Sequence, residues 1–302
     1  MHIAYLILAH QSPEHLIRLI HALNKTDAHV DFFLHIDAKS DRSKFHKISL
    51  TFENVRILKK PVKIFWGGFS IVRATILLMQ EALQHSKFDR MVLLSGCDYP
   101  IKPNAEIMSF FQQHPDEQFI NIVQMPHKKR PISRLTKYHF EGGTHRNWFI
   151  RGRLKNKINI WLAKHSYNRN YKKYLKNNVP YAGEQWFSFT RSCVKLILKS
   201  IDNSQKLVNF YKNTYVPDEM FFHTILMNLN PPQIVNPGLV FCDWWQPYPP
   251  YPAIICNKHI ERFKKGQFRE DIYGQKQRFY ARKFDGKTFS ILDRIDQELL
   301  RK

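Results

Sequence analysis

Short uninterrupted apolar runs alternate along the first 126 residues with longer stretches whose apolar positions recur at helical spacing. Ile3–Ala9 is a continuous apolar run, as a strand buried on both faces requires. Ser12-Pro13-Glu14 then opens a helix: Ser12 can cap it, Pro13 suits the first helical position, and Glu14 complements the positive end of the dipole. Leu16, Ile17, Leu19, Ile20 and Leu23 form its apolar face. Val30–Ile36 reads as a second strand ending at Asp37, and Val55–Leu58 as a third. The Gly67-Gly68 turn leads into a long helix over Phe69–Leu83. Met91–Leu94 is a strand running into the loop Ser95-Gly96-Cys97-Asp98-Tyr99-Pro100, followed by a helix over Asn104–Phe111 and a strand over Phe119–Val123. This alternation predicts an α/β fold, a mostly parallel central sheet flanked by helices. Ligands of such sheets bind beyond the carboxyl ends of the strands, which singles out His10, Asp37 and the Ser95–Pro100 loop.

The second half is less regular. Gly183–Arg191 reads as a strand carrying Trp186, Phe187 and Phe189; Pro217-Asp218-Glu219 starts an apolar helix through Leu229; Gly238–Trp244 is a strand; Phe289–Leu300 is a terminal amphipathic helix. No linker separates two independent units, so the 302 residues are expected to form one domain.

Composition excludes several classes. With 43% hydrophobic and 14% aromatic residues the chain is not disordered, and 11 glycines exclude collagen-like sequence. Cys97, Cys193, Cys242 and Cys256 share no metal-type spacing and read as reduced thiols of a cytoplasmic protein. The N-terminus lacks a basic segment and a cleavage site, and no apolar stretch reaches the roughly 20 residues of a membrane span. Charge adds something that periodicity does not. Residues 127–176 hold 15 of the 47 Lys and Arg against one acidic residue, Glu141, whereas residues 1–126 are nearly balanced, with 14 basic and 12 acidic. Such a segment predicts an anionic partner, either an acceptor or the inner face of an anionic membrane, and none of the candidate chemistry falls inside it. A solvated basic loop is the plainer reading.

Candidate chemistry starts from what is missing: GxGxxG, a P-loop, HExxH, and an Asp-x-Asp at a strand end that would hold a divalent cation. Three clusters remain. Asp37 and Asp98 sit at strand ends, where a carboxylate can bind a ribose or a base, or only cap the next turn. In Pro217-Asp218-Glu219, Asp218 suits an N-cap and leaves Glu219 in the first turn, either as a general base or as ordinary N-terminal charge. In Ala281-Arg282-Lys283-Phe284-Asp285, Arg282 and Lys283 can grip a diphosphate or simply lie on the surface.

In order along the chain, Trp66-Gly67-Gly68-Phe69-Ser70, Ser95-Gly96-Cys97-Asp98-Tyr99-Pro100-Ile101, Gly183-Glu184-Gln185-Trp186-Phe187, Pro217-Asp218-Glu219-Met220-Phe221-Phe222-His223-Thr224, Asp243-Trp244 and Ala281-Arg282-Lys283-Phe284-Asp285 resemble the core-2/I-branching β-1,6-N-acetylglucosaminyltransferase family, glycosyltransferase family 14, which includes the peptide O-xylosyltransferases. The resemblance implies a GT-A glycosyltransferase fold and inverting, metal-independent transfer from a UDP-sugar, with GlcNAc or xylose as the sugar and no other cofactor. It implies a hydroxyl of a glycan or glycolipid as acceptor; the departure from the anchor and disulfide set of the animal enzymes suggests a bacterial-type enzyme, and the basic segment an acceptor met in surface polysaccharide or lipopolysaccharide synthesis. The chain then divides into a nucleotide-binding half (1–126), the basic insertion (127–176) and an acceptor-binding and catalytic half (177–302).

Residue by residue, Glu219 matches the catalytic base, Arg282 and Lys283 the diphosphate grip, and Asp37 the uridine contact. His10 and Asp98 complete the expected donor edge, and Trp186, Trp244 and Glu184 the expected acceptor side. The xylosyltransferase branch places a carboxylate directly before the Trp of the third motif; here Gln185 stands there and Glu184 lies one position earlier, on the other face of a strand. Two other classes are a non-catalytic nucleotide- or glycan-binding protein on the same fold and a basic nucleic-acid-binding protein. Retention of Glu219, Arg282 and Lys283 argues against the first, and the near-neutral nucleotide half against the second, so no nucleic acid is expected as a partner.

Overall fold

The computed structural model describes residues 1–24, 29–142, 150–164, 168–229, 233–246, 249–274, 277–286 and 289–301. Parts of the basic insertion, 143–149 and 165–167, lie outside the described residues. Among the described residues ten strands form two sheets: β1 (Ile3–Ala9), β2 (Val30–Ile36), β3 (Val55–Ile57), β4 (Arg90–Ser95), β5 (Asp98–Pro100), β6 (Gln118–Gln124), β7 (Tyr181–Thr190), β8 (Ile234–Val235), β9 (Val240–Cys242) and β10 (Tyr280–Arg282). The central sheet runs β3-β2-β1-β4-β7-β6-β8 and the smaller one β5-β10-β9. Among the described residues of the central sheet, β1 pairs parallel with β2 and β4, and only β7 runs antiparallel to its neighbours β4 and β6; in the smaller sheet β10 pairs antiparallel with β5 and parallel with β9. This is the expected α/β arrangement, a mostly parallel sheet flanked by helices. Its central strands β1 and β4 are buried along nearly their whole length, which accounts for their unbroken apolar runs.

Several local expectations change. Ser12 stands before the helix Pro13–Leu23 but adopts a left-handed φ of 54° and makes no side-chain cap, so Pro13 and Glu14 alone mark that start. Asp98–Pro100 is not loop but strand β5, because it finds a partner in β10, which is distant in sequence. A helix over Arg191–Asn203 was not expected; Cys193, Val194, Ile197, Leu198 and Ile201 bury one face, and Thr190 Oγ1 caps it by accepting from the Cys193 N–H at 3.2 Å. The basic insertion contributes the helix Ile150–Lys164. The terminal helix Phe289–Glu298 closes onto the first one, where Arg18 Nη2 bridges Asp293 at 2.6 Å and Asp296 at 2.8 Å. Among the described residues no helix is long and apolar enough to cross a membrane. Cys97, Cys193 and Cys242 are buried and Cys256 is exposed, all as free thiols.

Candidate active site

β10 carries Arg282 to the carboxyl edge of the central sheet. Its register sets Arg282 opposite Asp98 of β5 on one side and Cys242 of β9 on the other. Asp98 is 0% exposed. Its Oδ2 accepts from the Ser95 N–H at 2.8 Å, and Arg282 Nη1 stands 3.4 Å from Oδ1. That approach is Coulombic rather than a hydrogen bond, since Nη1 has no hydrogen-bond partner. Burial pushes the Asp98 carboxyl up and Arg282 opposes the shift. Asp98 was expected at the donor; the structure instead buries it completely beneath the edge, where it can act only by positioning Arg282.

The guanidinium of Arg282 lies 4.2 Å over the Trp186 ring. Trp186 is 8% exposed and so is not an open acceptor platform as expected; its face supports Arg282. Lys283 follows on the same edge, with its backbone held by Ala253 and Ile255. His10 sits at the end of β1 within reach of the same charges: desolvation lowers its pKa, Asp37 opposes, and Lys283, Lys39 and Arg282 lower it further. Asp37 closes the β2 loop, where its Oδ1 accepts from the Lys39 N–H at 2.9 Å and the Ile64 N–H at 3.2 Å, and Lys39 Nζ stands 3.6 Å from Oδ2. The tertiary structure thus brings His10, Asp37, Arg282 and Lys283 to one cationic edge. Among the described residues no group of three or more His, Cys, Asp or Glu is gathered to hold a metal ion.

Glu219 lies apart, in a 3-10 turn (Pro217–Glu219) that is not continuous with the helix Phe221–Asn228. Its Oε2 receives Arg134 Nη1 at 2.6 Å and Arg130 Nη1 at 3.2 Å. Oε1 has no partner among the described residues. Arg130 is itself steadied by the Tyr273 hydroxyl at 3.0 Å. The basic segment was expected to hold none of the chemistry; it supplies both arginines that orient the candidate base. Their i, i+4 spacing was the available signal, but nothing in sequence linked it to a turn some 85 residues away.

Asp218 is not an N-cap. It is 7% exposed, and its Oδ1 has no hydrogen-bond partner. Burial pushes its pKa up from 3.8 to about 7, with Glu219 adding to the shift and Arg134 and Arg130 opposing it. Between those two values Asp218 is protonated in the folded protein and ionised in the unfolded chain. Its contribution to stability is therefore complete below about pH 4 and lost as pH rises to about 7, at most about 4 kcal/mol. Asp218→Asn is neutral throughout, so its urea midpoint should exceed that of the parent near pH 7.5 and lose that advantage toward pH 4. A difference independent of pH would remove the assignment.

On the expected acceptor side, a Cβ on Gly183 would fall 1.5 Å from the Asn121 carbonyl oxygen, so only glycine lets β7 pass this close to β6. Glu184 then meets Asn121 Nδ2 at 2.7 Å through Oε2 and Trp244 Nε1 at 2.6 Å through Oε1. At 7% exposed and with both oxygens occupied, Glu184 reaches any acceptor only through Trp244, a residue 46% exposed. Burial raises the Glu184 carboxyl, with Arg278 as the main opposing charge. Sequence reasoning missed Asn121 and Arg278, which no motif marks, and Arg130 and Arg134, which lie among the many other charges of the basic segment.

Comparison with known proteins finds relatives among the xylosyltransferases. Xylosyltransferase 2 of Homo sapiens is 26% identical over 308 residues, covering 96% of this chain and 33% of that protein. Xylosyltransferase 1 of Mus musculus is 25% identical over 296 residues, covering 94% and 29%. The chain therefore spans about a third of the length of the curated relatives it matches. The profile of the Core-2/I-Branching enzyme family matches residues 3–266, from β1 to just past the helix Asn257–Lys264, and the chain belongs to that family.

Proposed function

We propose that the protein is an inverting glycosyltransferase that moves a sugar, GlcNAc or xylose, from a UDP-sugar to a hydroxyl of an anionic glycan or glycolipid acceptor in surface polysaccharide assembly. The carrying observation is the division of labour around Glu219: two arginines hold Oε2 and leave Oε1 unengaged. In a single displacement the acceptor oxygen bonds to the anomeric carbon from the face opposite UDP, the bond to UDP breaks, and the hydroxyl proton passes to Glu219 Oε1. UDP leaves with growing negative charge, which Arg282 meets with the side of its guanidinium turned away from Asp98 and Lys283 with its ammonium. Asp98 below and Trp186 behind fix the guanidinium, so little reorganisation is needed as charge develops. Two fixed cations replace the divalent ion that an Asp-x-Asp would hold, so the reaction proceeds without a metal.

Melting temperature tests this reading. UDP, UDP-GlcNAc or UDP-xylose at 100 Kd should stabilise the protein by about 2.7 kcal/mol, equally in EDTA and in Mn²⁺. Stabilisation seen only with Mn²⁺ would overturn the metal-free mechanism. No stabilisation by any UDP compound would overturn the donor.

A further inference from the structure

A cleft of about 1000 Å³ opens between the segment after β3, the helix Ser70–His85 and the basic insertion. Five cations line it: Lys60, Lys63, Arg73, Lys155 and Lys212. They come from four separate stretches of chain, so no single charge run in sequence announces them. None forms an ion pair with a carboxylate among the described residues; Lys155 Nζ donates to the Glu141 carbonyl at 3.2 Å and Lys212 Nζ to Asn209 Oδ1 at 2.7 Å. The one carboxylate in the lining, Glu141, is already committed. Its Oε1 accepts the Ser70 N–H at 2.7 Å, and it packs so tightly on Gly68 that a Cβ there would lie 2.3 Å from that oxygen. The field inside the cleft is therefore positive. The lining also includes Phe65 and the exposed ring of Phe140, apolar faces on which a sugar ring can lie.

The cleft adjoins both halves of the candidate active site. Phe65 is shared with the donor edge, where Lys39 Nζ lies 5.0 Å over its ring. At the other end Asn213 leads through Val216 to the turn holding Glu219, and the Val216 N–H donates to the Gly67 carbonyl at 2.9 Å. The stretch from Arg130 to Glu141 both orients Glu219 and walls the cleft.

We propose that this cleft binds the part of the acceptor glycan beyond the reacting sugar, and that this part carries phosphate or carboxylate groups. This deepens the transferase reading and rests on it. A concave groove with cations on its walls and aromatic rings between them suits a single anionic sugar chain, whereas a flat bilayer surface could meet only the rim.

Heparin octasaccharide serves as the probe, with neutral dextran of equal length and phosphatidylglycerol vesicles as the other arms. The triple variant Lys60→Gln, Lys63→Gln, Arg73→Gln should weaken octasaccharide binding about tenfold, as three lost exposed charge contacts predict. A control of equal charge loss, Lys195→Gln, Lys199→Gln, Lys206→Gln, should weaken it less than about twofold, since screened distant charges add little. Dextran should not bind, and UDP stabilisation should persist in both variants. Equal weakening by the two triples would reduce the effect to net charge and overturn the proposal. Vesicle binding lost in the cleft triple, with octasaccharide binding retained, would assign the residues to a membrane instead. Absence of UDP binding by the unaltered protein, with octasaccharide discrimination intact, would overturn the transferase reading and leave the cleft standing.

Discussion

Glu219→Gln should lower the rate of sugar transfer at least about 10²-fold at saturating donor, the low end for loss of a general base. Gln keeps the volume of Glu and offers an oxygen to Arg134 and Arg130, which lie 2.6 and 3.2 Å from Oε2 in the native turn. The fold and UDP binding should therefore survive, and both are measurable by melting temperature with and without UDP. What Gln cannot do is accept the hydroxyl proton. Glu184→Gln is the informative contrast. Both oxygens of Glu184 are taken by Asn121 and Trp244, and an amide nitrogen placed against either donor N–H costs a buried hydrogen bond, about 1–3 kcal/mol of stability. Its transfer rate should fall less than that of Glu219→Gln. Near-normal turnover in Glu219→Gln with collapse in Glu184→Gln would move the catalytic role to Glu184.

Arg282→Ala and Lys283→Ala should each lower kcat/KM by about 10²–10³, the range for removing one fixed donor from a developing negative charge. The two should differ in their side effects. Arg282 is built into the protein, facing Asp98 at 3.4 Å and Trp186 at 4.2 Å, so its removal leaves a buried carboxylate without its cation and should also lower stability. Lys283 has no such role and should leave the melting temperature unchanged. Arg282→Lys keeps the charge but loses the fork and the stacking plane, so it should recover only part of the rate. A loss confined to KM in both Ala variants would mean that they bind donor without assisting its departure. Unchanged kinetics in both would dissociate this pair from the diphosphate.

The sequence by itself determined the architecture of the first half and the identity of the edge. Strands buried on both faces must be continuously apolar, so Ile3–Ala9 and Val30–Ile36 announced themselves with boundaries that the structure keeps. The rule that ligands lie beyond parallel strand ends then singled out His10 and Asp37 without coordinates. Short motifs made Glu219, Arg282 and Lys283 the candidates for the proposed chemistry, because candidate reactive groups are recognised by residue type. Only the tertiary structure decided what each group meets. Asp98 became a strand residue beneath Arg282 because β5 pairs with a segment nearly two hundred residues later. Asp218 lost its expected cap because the turn is a separate 3-10 element, and burial beside Glu219 raised its pKa to about 7. Arg130 and Arg134, indistinguishable in sequence from the other charges of a basic run, were aimed at one carboxylate oxygen by the packing of that run against the turn. Periodicity reports which face of an element is buried, since that depends on neighbours three or four residues away. Ion pairs and clefts are set by the register of distant segments, which no local pattern encodes.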